Sequence, residues 1–385
     1  MSRMKRSSIR MICAGLLLTF GVGAGRAADA PAGRSPAAAR EGVVVGYFAA
    51  WKRDVVDHAM IAYVHLTHIA HSFAWPDKEG NLVLPEGYLY PELNQEAHAH
   101  GVKVLMSLGG WGNCDGFAPM AADPAKRGKF VRQAAEACRN WNYDGLDVDW
   151  EFVDTEEERA SFTSLIRELD AALKAMDPPR QLSMAAPAGA YYGRWIDFEI
   201  LHPCFDFIGF MTYDFHGGWS DHSGHNAPLY ACGDSCGSVD ETFCYARSRG
   251  IPVSKILLGI PFYGRSFDCP ALGLPFQTSG EVSFTEVQNR LANGWTSSRD
   301  VCARVPLLQS PGGGVIVSYE DVLSVRSKCR YALNNGVAGF IIWELSHDRW
   351  RGQSVLLEAV GDFFLHRTKL PRRGEDKESR HAERF

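Results

Sequence analysis

Residues 144–151 read Asp-Gly-Leu-Asp-Val-Asp-Trp-Glu and alternate between apolar and acidic side chains. A β-strand places successive side chains on opposite faces. One face of this predicted strand is apolar, as a strand beneath a layer of helices requires: Leu146, Val148 and Trp150. The other face is a ladder of carboxyl groups with about 6–7 Å between neighbours: Asp147, Asp149 and Glu151. The segment is therefore predicted to be a buried strand that carries an acidic face.

The acidic ladder has three interpretations. Its charges repel one another and do not stabilise the fold, so at least one carboxyl is expected to keep its proton at neutral pH. A solvated acidic loop is disfavoured by the apolar alternation. An EF-hand loop needs glycine where Phe152 stands, although a magnesium-type carboxylate site stays open. The third interpretation is acid/base chemistry on a buried substrate.

The other apolar segments predict an α/β fold, a (β/α)₈ TIM barrel, because eight apolar strands alternate with helical patterns. Polar and aromatic residues follow the strands at their C-terminal ends, where such barrels carry their active sites. A capping box at Thr155 and Glu158 is predicted to begin one of the helices. The strands are predicted at residues 43–48, 66–73, 102–107, 144–151, 181–188, 205–214, 256–267 and 339–344.

The segment between the seventh and eighth strands is longer than the other connections. Residues 268–318 are predicted to form a small α+β insertion at one side of the cleft. Residues 319–336 are predicted to form the last helix of the outer layer. The catalytic barrel is expected to span residues 42–365. Residues 366–385 are charged and lack an apolar period, which predicts a disordered tail.

The N-terminus has the pattern of a secretory signal peptide over residues 1–30. Basic residues precede an apolar run that is short for a membrane span, and residues 31–41 are interpreted as a flexible lead-in. A secreted or periplasmic location follows as an expectation. Ten cysteines minus Cys13 leave nine in the mature chain, so export makes disulfides plausible and leaves at least one thiol unpaired. Cys232 is near enough in sequence to pair with Cys236 or Cys244.

The acidic stretch also resembles the D-x-x-D-x-D-x-E signature of glycoside hydrolase family 18, the chitinases and their relatives. The resemblance covers about residues 42–350. Phe152 departs from it, since many members carry Tyr there, and the insertion is shorter than the larger version in the family. Further segments resemble the family in the same order: 107–111 (S-x-G-G-W), 211–214 (M-x-Y-D), 227–230, 258–267, and 318–321 with Trp343.

The resemblance implies substrate-assisted hydrolysis of a glycosidic bond. Glu151 would protonate the glycosidic oxygen while the 2-acetamido carbonyl of the substrate attacks the anomeric carbon, giving an oxazolinium intermediate and retention. Asp149 would orient the acetamido N–H, Asp147 would share a proton with Asp149, and Tyr213 would hydrogen-bond the acetamido carbonyl. The implied substrate-binding residues are Tyr47, Phe73, Gly109, Gly110, Trp111, Phe152, Met211, Asp214, Tyr263, Arg265 and Trp343.

The sequence therefore favours a secreted retaining hydrolase of β-1,4-linked N-acetylglucosamine polymers, chitin or chitooligosaccharides. The alternatives are the same chemistry on peptidoglycan or an N-glycan core, and a non-catalytic chitin-binding lectin, although such relatives typically lose the terminal acid that Glu151 supplies. No cofactor and no metal are expected. A net charge of −5 gives no argument for a nucleic-acid partner. The protein is expected to be a monomer and to have no membrane partner once its signal is removed.

Overall fold

The structure, a computed structural model, describes residues 42–233 and 237–366. The predicted signal peptide, the lead-in, Cys236 and the predicted tail beyond His366 lie outside the described residues. The predictions made for those segments therefore stay predictions.

The described chain alternates strands and helices. Its strands are β1 (Val43–Ala49), β2 (His68–Pro76), β3 (Leu82–Val83), β4 (Lys103–Gly109), β5 (Gly145–Asp149), β6 (Gln181–Ala186), β7 (Phe207–Phe210), β8 (Ile256–Pro261), β9 (Tyr263–Phe267), β10 (Ser279–Ser283), β11 (Thr296–Asp300), β12 (Val305–Gln309), β13 (Ile316–Ser318) and β14 (Gly339–Trp343). Its helices are α1 (Pro91–Ala99), α2 (Phe117–Ala122), α3 (Pro124–Asn140), α4 (Glu156–Lys174), α5 (Ala190–Gly193), α6 (Phe198–Leu201), α7 (Val239–Ser248), α8 (Phe284–Ala292), α9 (Val322–Asn335) and α10 (Val355–Val360), followed by a π-helical turn, Gly361–Leu365.

Eight parallel strands close into a barrel, which confirms the predicted (β/α)₈ fold. The strands are hydrogen-bonded in the order β1-β14-β8-β7-β6-β5-β4-β2, and β2 pairs back with β1. Strand β5 lies between β4 and β6. The segment that carries the acidic residues is therefore a central strand with a neighbour on each side.

Helix α4 shows how local sequence sets an outer element. The side chain of Thr155 accepts a hydrogen bond from the Glu158 N–H at 3.2 Å and caps the helix, which is one half of the predicted capping box. The Glu158 side chain accepts instead from the Asp154 N–H, at 3.0 Å. Glu156, Glu157 and Glu158 complement the positive end of the helix dipole. One stripe of the helix is buried: Phe162, Leu165, Ile166, Leu169 and Leu173. This stripe packs into the main hydrophobic cluster together with Leu146 and Val148 of β5.

A second apolar cluster contains inward-facing residues of the barrel strands. It contains Tyr47, Phe73 and Ile341, and Met211 and Trp343 pack against it. All of these except Ile341 are predicted substrate-binding residues, and they pack together on the inner side of the sheet. The period-two alternation thus divides each strand between an outer core and the inside of the barrel.

Residues 263–318 form a lobe that contains strands β9–β13 and helix α8. Its sheet is antiparallel, in the order β10-β9-β13-β12-β11. The prediction of a single seventh strand over residues 256–267 was wrong. The barrel strand ends at Pro261, and Tyr263–Phe267 pairs instead with β10 and β13. The apolar pattern does not reveal the change of sheet, because it reports which face is buried and not which strand is the partner.

The loop after β7 is joined to the lobe by a disulfide between Cys232 and Cys302. Cys232 therefore pairs with neither Cys236 nor Cys244, the two cysteines near it in the sequence. The loop lies against the turn between β11 and β12, where the N–H of Leu229 donates to the carbonyl of Ala303 at 2.9 Å. Residues 70 positions apart are thus neighbours in space. Within the described residues, no helix is both long and apolar enough to cross a membrane.

Candidate active site

The acidic ladder lies at the C-terminal end of β5. Asp147 and Asp149 are buried, with 3% and 4% of their surface exposed. The strand ends at Asp149, so Glu151 follows it in the next turn, half-buried, and does not lie in the predicted strand itself. The three carboxyl groups nevertheless lie in one electrostatically connected group, in which charges on Asp147 and Glu151 act on Asp149.

Asp147 receives three hydroxyl hydrogen bonds from three other strands. The Tyr47 and Ser107 hydroxyls donate to its Oδ2, each at 2.8 Å, and the Ser183 hydroxyl donates to its Oδ1 at 2.6 Å. Burial raises the pKa of Asp147, and these three donors oppose that rise. Neither serine was predicted as a site residue, because their roles depend on strand register: Ser107 and Ser183 are the direct neighbours of Asp147 in β4 and β6.

Asp149 has the opposite surroundings. Its Oδ1 is buried and accepts no hydrogen bond from the described residues. Burial raises the pKa of Asp149 well above its usual range, and the charges of Glu151 and Asp147 raise it further. A proton at neutral pH is therefore held at this end of the ladder.

Glu151 has a pKa suited to proton transfer. Burial raises this pKa to about 7, the charge of Asp214 adds to the rise, and the backbone N–H of Trp111 opposes it. A group with a pKa near the working pH can give up a proton and regain it readily. Glu151 can therefore act as a general acid near neutrality.

Two glycines at the C-terminal end of β4 allow the chain to approach β5 closely. Gly109 and Gly110 have φ angles of 113° and 79°. A Cβ atom would lie 2.2 Å from the Asp149 carbonyl oxygen at Gly109, and 2.3 Å from the Phe73 ring at Gly110. The Gly110 N–H donates to the Asp149 carbonyl at 2.8 Å.

Aromatic rings line the barrel beside the carboxyl groups. Trp343 stacks on Phe73 with ring centroids 5.7 Å apart and lies 5.6 Å from the ring of Tyr47. Trp51 stacks on the same Phe73 at 5.9 Å and is 56% exposed. Trp51 was not among the predicted site residues. Its position two residues after β1, at a strand's C-terminal end, was the available signal.

A second group of predicted residues surrounds Tyr213. Burial raises the pKa of Tyr213 well above its usual range, and the charges of Asp149 and Glu151 raise it further, so its hydroxyl keeps its proton and can donate. The ring of Tyr263 lies 6.1 Å away. Arg265 donates from Nε to Asp214 Oδ1 at 2.7 Å. Because Tyr263 and Arg265 belong to β9, the lobe completes this side of the site.

Trp111 and Phe152 lie at the margin of the group. The indole of Trp111 is 80% exposed, while its backbone N–H faces the Glu151 carboxyl. Phe152 stacks on Tyr192 with ring centroids 4.2 Å apart, and Tyr191 beside it is 72% exposed. The two tyrosines were missed. They follow β6, the fifth strand of the barrel, in a run of alanine, glycine and proline, which gave no site signal.

A separate groove of about 620 Å³ lies on the lobe, between α8 and strands β9 and β10. It contains none of the predicted site residues. Within residues 42–233 and 237–366, no group of three or more His, Cys, Asp or Glu is arranged to hold a metal ion. The convergence of perturbed carboxyl groups, and not cavity size, therefore identifies the candidate site.

Residues 43–348 match the family model described as Glycosyl hydrolases family 18. A curated relative, Chitinase A1 of Niallia circulans, is 33% identical over 285 residues, which are 64% of this chain and 41% of the relative. The matched part of the chain covers about half or less of the length of the first curated relatives.

Two solved structures show the same architecture. Catalytic domain 2 of the Ostrinia furnacalis Group II chitinase, solved as a mutant in complex with (NAG)5, has a TM-score of 0.79 and 27% identity, over 86% of this chain and 98% of that chain. A family 18 N-acetylglucosaminidase from Paenibacillus barengoltzii has a TM-score of 0.76 and 29% identity, over 83% and 99%. With the family model matching most of its length, the chain belongs to glycoside hydrolase family 18.

Proposed function

We propose that this protein is a chitinase-type glycoside hydrolase that cleaves β-1,4-linked N-acetylglucosamine polymers with retention. The observation that carries the proposal is the group at the end of β5, where Glu151 has a pKa of about 7 and lies beside the buried Asp149. A protonated carboxyl can deliver a proton to the glycosidic oxygen. The relatives named as chitinases support the choice of polymer.

The proposed mechanism uses the acetamido group of the substrate as nucleophile. Glu151 protonates the glycosidic oxygen as the acetamido carbonyl attacks the anomeric carbon. Oδ1 of Asp149 has no hydrogen-bond partner among the described residues, and in this step it accepts a hydrogen bond from the acetamido N–H. The proton that this interaction displaces from Asp149 is shared with Asp147. Tyr213 donates its hydroxyl hydrogen bond to the acetamido carbonyl. Water then opens the oxazolinium ion, and Glu151 recovers its proton from that water.

The aromatic rings and polar side chains around the carboxyl groups have binding roles in this proposal. Trp343 forms the floor under the reacting sugar, with Tyr47, Phe73 and Met211 beneath it. Asp214, Tyr263 and Arg265 hold hydroxyl or acetyl groups. Pyranose rings present apolar faces, and stacked indole and phenyl rings such as Trp343 on Phe73 match those faces.

Export is proposed from the N-terminal sequence, since residues 1–30 have the pattern of a secretory signal. A monomer that needs neither metal nor cofactor is proposed as well. A second candidate substrate within the same chemistry is a peptidoglycan or N-glycan core, which the likeness to an N-acetylglucosaminidase of the family supports.

The test is product analysis with a matched inactive variant. Glu151→Gln keeps the size of the side chain and removes the transferable proton, so we expect a folded protein whose rate is lower by about 10²–10⁴. Mature wild type and variant are incubated with chitin hexamer and with peptidoglycan, and the products and their anomers are identified by chromatography and mass spectrometry.

β-Anomeric chitin fragments from the wild type alone would support the proposal. Muropeptide products alone would move the substrate to the cell wall and keep the chemistry. Tight hexamer binding without products would make the protein a lectin, and full activity in a folded Glu151→Gln variant would refute the role of Glu151.

A further inference from the structure

The loop between β4 and α2 wraps around the end of the acidic strand. Asn113 donates its N–H to the Gly110 carbonyl at 3.0 Å and closes a turn, while the Gly110 N–H donates to the Asp149 carbonyl at 2.8 Å. The same loop directs the backbone N–H of Trp111 to the Glu151 carboxyl. One short loop therefore contacts the main chain of Asp149 and the side chain of Glu151.

Cys114 follows in this loop and contacts the main chain of Glu151. Its Sγ accepts a hydrogen bond from the Glu151 N–H at 3.2 Å. The thiol can donate in turn to the carbonyl of Gly110 or of Asp149, at 3.4 Å and 3.5 Å from Sγ. A single sulfur atom thus bridges the peptide groups of Asp149 and Glu151, the two acidic residues at the C-terminal end of β5.

The thiol of Cys114 contributes no negative charge beside these acids. Burial raises its pKa to about 12, the hydrogen bond from the Glu151 N–H opposes the rise, and the charges of Asp149 and Glu151 add to it. The protonated thiol keeps both functions, accepting from one peptide group and donating to another. A thiolate would instead repel the carboxyl groups that it supports.

We propose that Cys114 is a positioning residue for Glu151: its Sγ anchors the Glu151 peptide N–H while the Trp111 N–H of the same loop contacts the Glu151 carboxyl. The peptide N–H and the carboxyl of Glu151 thus both face this loop. This inference rests on the proposed function, because it assigns Cys114 to the proton donor of that reaction. No pattern in the sequence revealed it, since Cys114 and Glu151 are 37 residues apart.

Removal of the sulfur has two consequences. The Glu151 N–H loses its acceptor, and the vacated space lets the peptide and its side chain move. Displacement of a catalytic group by about 1 Å costs up to about 10²-fold in rate. Serine supplies a hydroxyl that accepts and donates in the same way, so it should restore most of the effect.

The experiment compares Cys114→Ala and Cys114→Ser with Cys329→Ala, a control at a buried free thiol on α9, outside the site. We expect kcat of Cys114→Ala on soluble chitooligosaccharide to fall about tenfold or more, with KM changed less than about twofold. The alkaline limb of its pH–rate profile should move to lower pH, because water that enters beside Glu151 relieves the burial that raises its pKa. Cys114→Ser should recover most of kcat, and Cys329→Ala should keep the wild-type profile.

A second measurement does not depend on substrate. The carboxyl of Glu151 is titrated by carbon-13 NMR in the wild type and in each variant. A shifted Glu151 titration in Cys114→Ala, restored in Cys114→Ser, supports the inference even where no substrate is turned over, and a wild type without products would count against the proposed function alone. An unchanged titration together with wild-type kcat overturns the positioning role. Cys114→Val replaces the alanine variant if the latter does not fold, with the same expected loss of kcat and the same overturning result.

Discussion

At the scale of single residues, two carboxyl groups in one strand differ because their partners differ. Asp147 receives three hydroxyl hydrogen bonds, whereas Oδ1 of Asp149 has no partner in the described part of the chain. Hydrogen-bond donors favour the charged form of a carboxyl, and burial without them favours the neutral form. The proton of the ladder therefore lies toward Asp149 and Glu151, which is the end nearer the proposed reaction.

The pH dependence of the rate follows from Glu151. Only its protonated form donates, and its pKa is about 7, so activity should be steady below that pH and fall about tenfold per unit above it. The measurement is kcat on a soluble chitooligosaccharide from pH 5 to pH 9. The charge of Asp214 raises this pKa, so Asp214→Asn should move the alkaline limb to lower pH. A limb that moves to higher pH in this variant would contradict the assignment.

At the scale of elements, a buried ion pair joins the end of the lobe to an outer helix. Glu320 follows β13 and pairs with Lys328 of α9, and both side chains are 1% exposed. The ammonium group also donates to the carbonyl of Ala227, in the loop after β7, at 2.7 Å. Burial of two charges is costly unless they remain paired. The pair therefore specifies how three segments fit together more than it adds stability.

The expected result of breaking this pair is a large loss of stability. Lys328→Met should lower the free energy of unfolding by about 3–5 kcal/mol, because it leaves Glu320 buried without a counter-charge. Urea unfolding followed by fluorescence measures the loss. Lys174→Met at a side chain that is 60% exposed serves as the control and should change stability by less than about 1 kcal/mol.

The double variant Glu320→Leu/Lys328→Met separates the two explanations, since it removes both charges and should recover part of the loss. A double variant that is less stable than Lys328→Met would show that the pair itself stabilises the fold.

At the scale of the whole molecule, the lobe and the barrel share the site. The lobe supplies Tyr263 and Arg265 from β9, and the barrel supplies the acidic strand. Several contacts hold the two parts together. The Thr285 hydroxyl of the lobe donates to the His347 carbonyl at 3.1 Å, and His347 Nε2 lies 3.4 Å from Glu281 Oε1 of the lobe. The disulfide between Cys232 and Cys302 adds a covalent link.

Loss of that disulfide should destabilise the oxidised protein. Cys302→Ser opens a covalent loop of 70 residues and should lower the free energy of unfolding by about 2–4 kcal/mol. Denaturant unfolding measures it, with Cys244→Ser, at an exposed free thiol, as the matched control. Equal stability of wild type and Cys302→Ser under oxidising conditions would refute a structural role for the link.

Much of the fold was predictable because it depends on local periodicity. Alternation with period two in residues 144–151 assigns one face of β5 to the outer core and the other to the inside of the barrel. The helical stripe from Phe162 to Leu173 and the capping residue Thr155 identify α4 in the same way. Chemistry at the C-terminal ends of strands then locates the candidate site, because parallel barrels gather those ends at one rim.

What the amino-acid sequence determined by itself is thus the class of fold, the acidic ladder and the residue types around it. Only the tertiary structure decided which side chains support the ladder. Ser107 and Ser183 contact Asp147 through strand register, Cys114 contacts Glu151 across a loop, β9 leaves the barrel for the lobe, and Cys232 pairs with Cys302. The physical reason is that a local pattern reports which face of an element is buried, whereas the partner on that face is set by pairing between residues far apart in the chain.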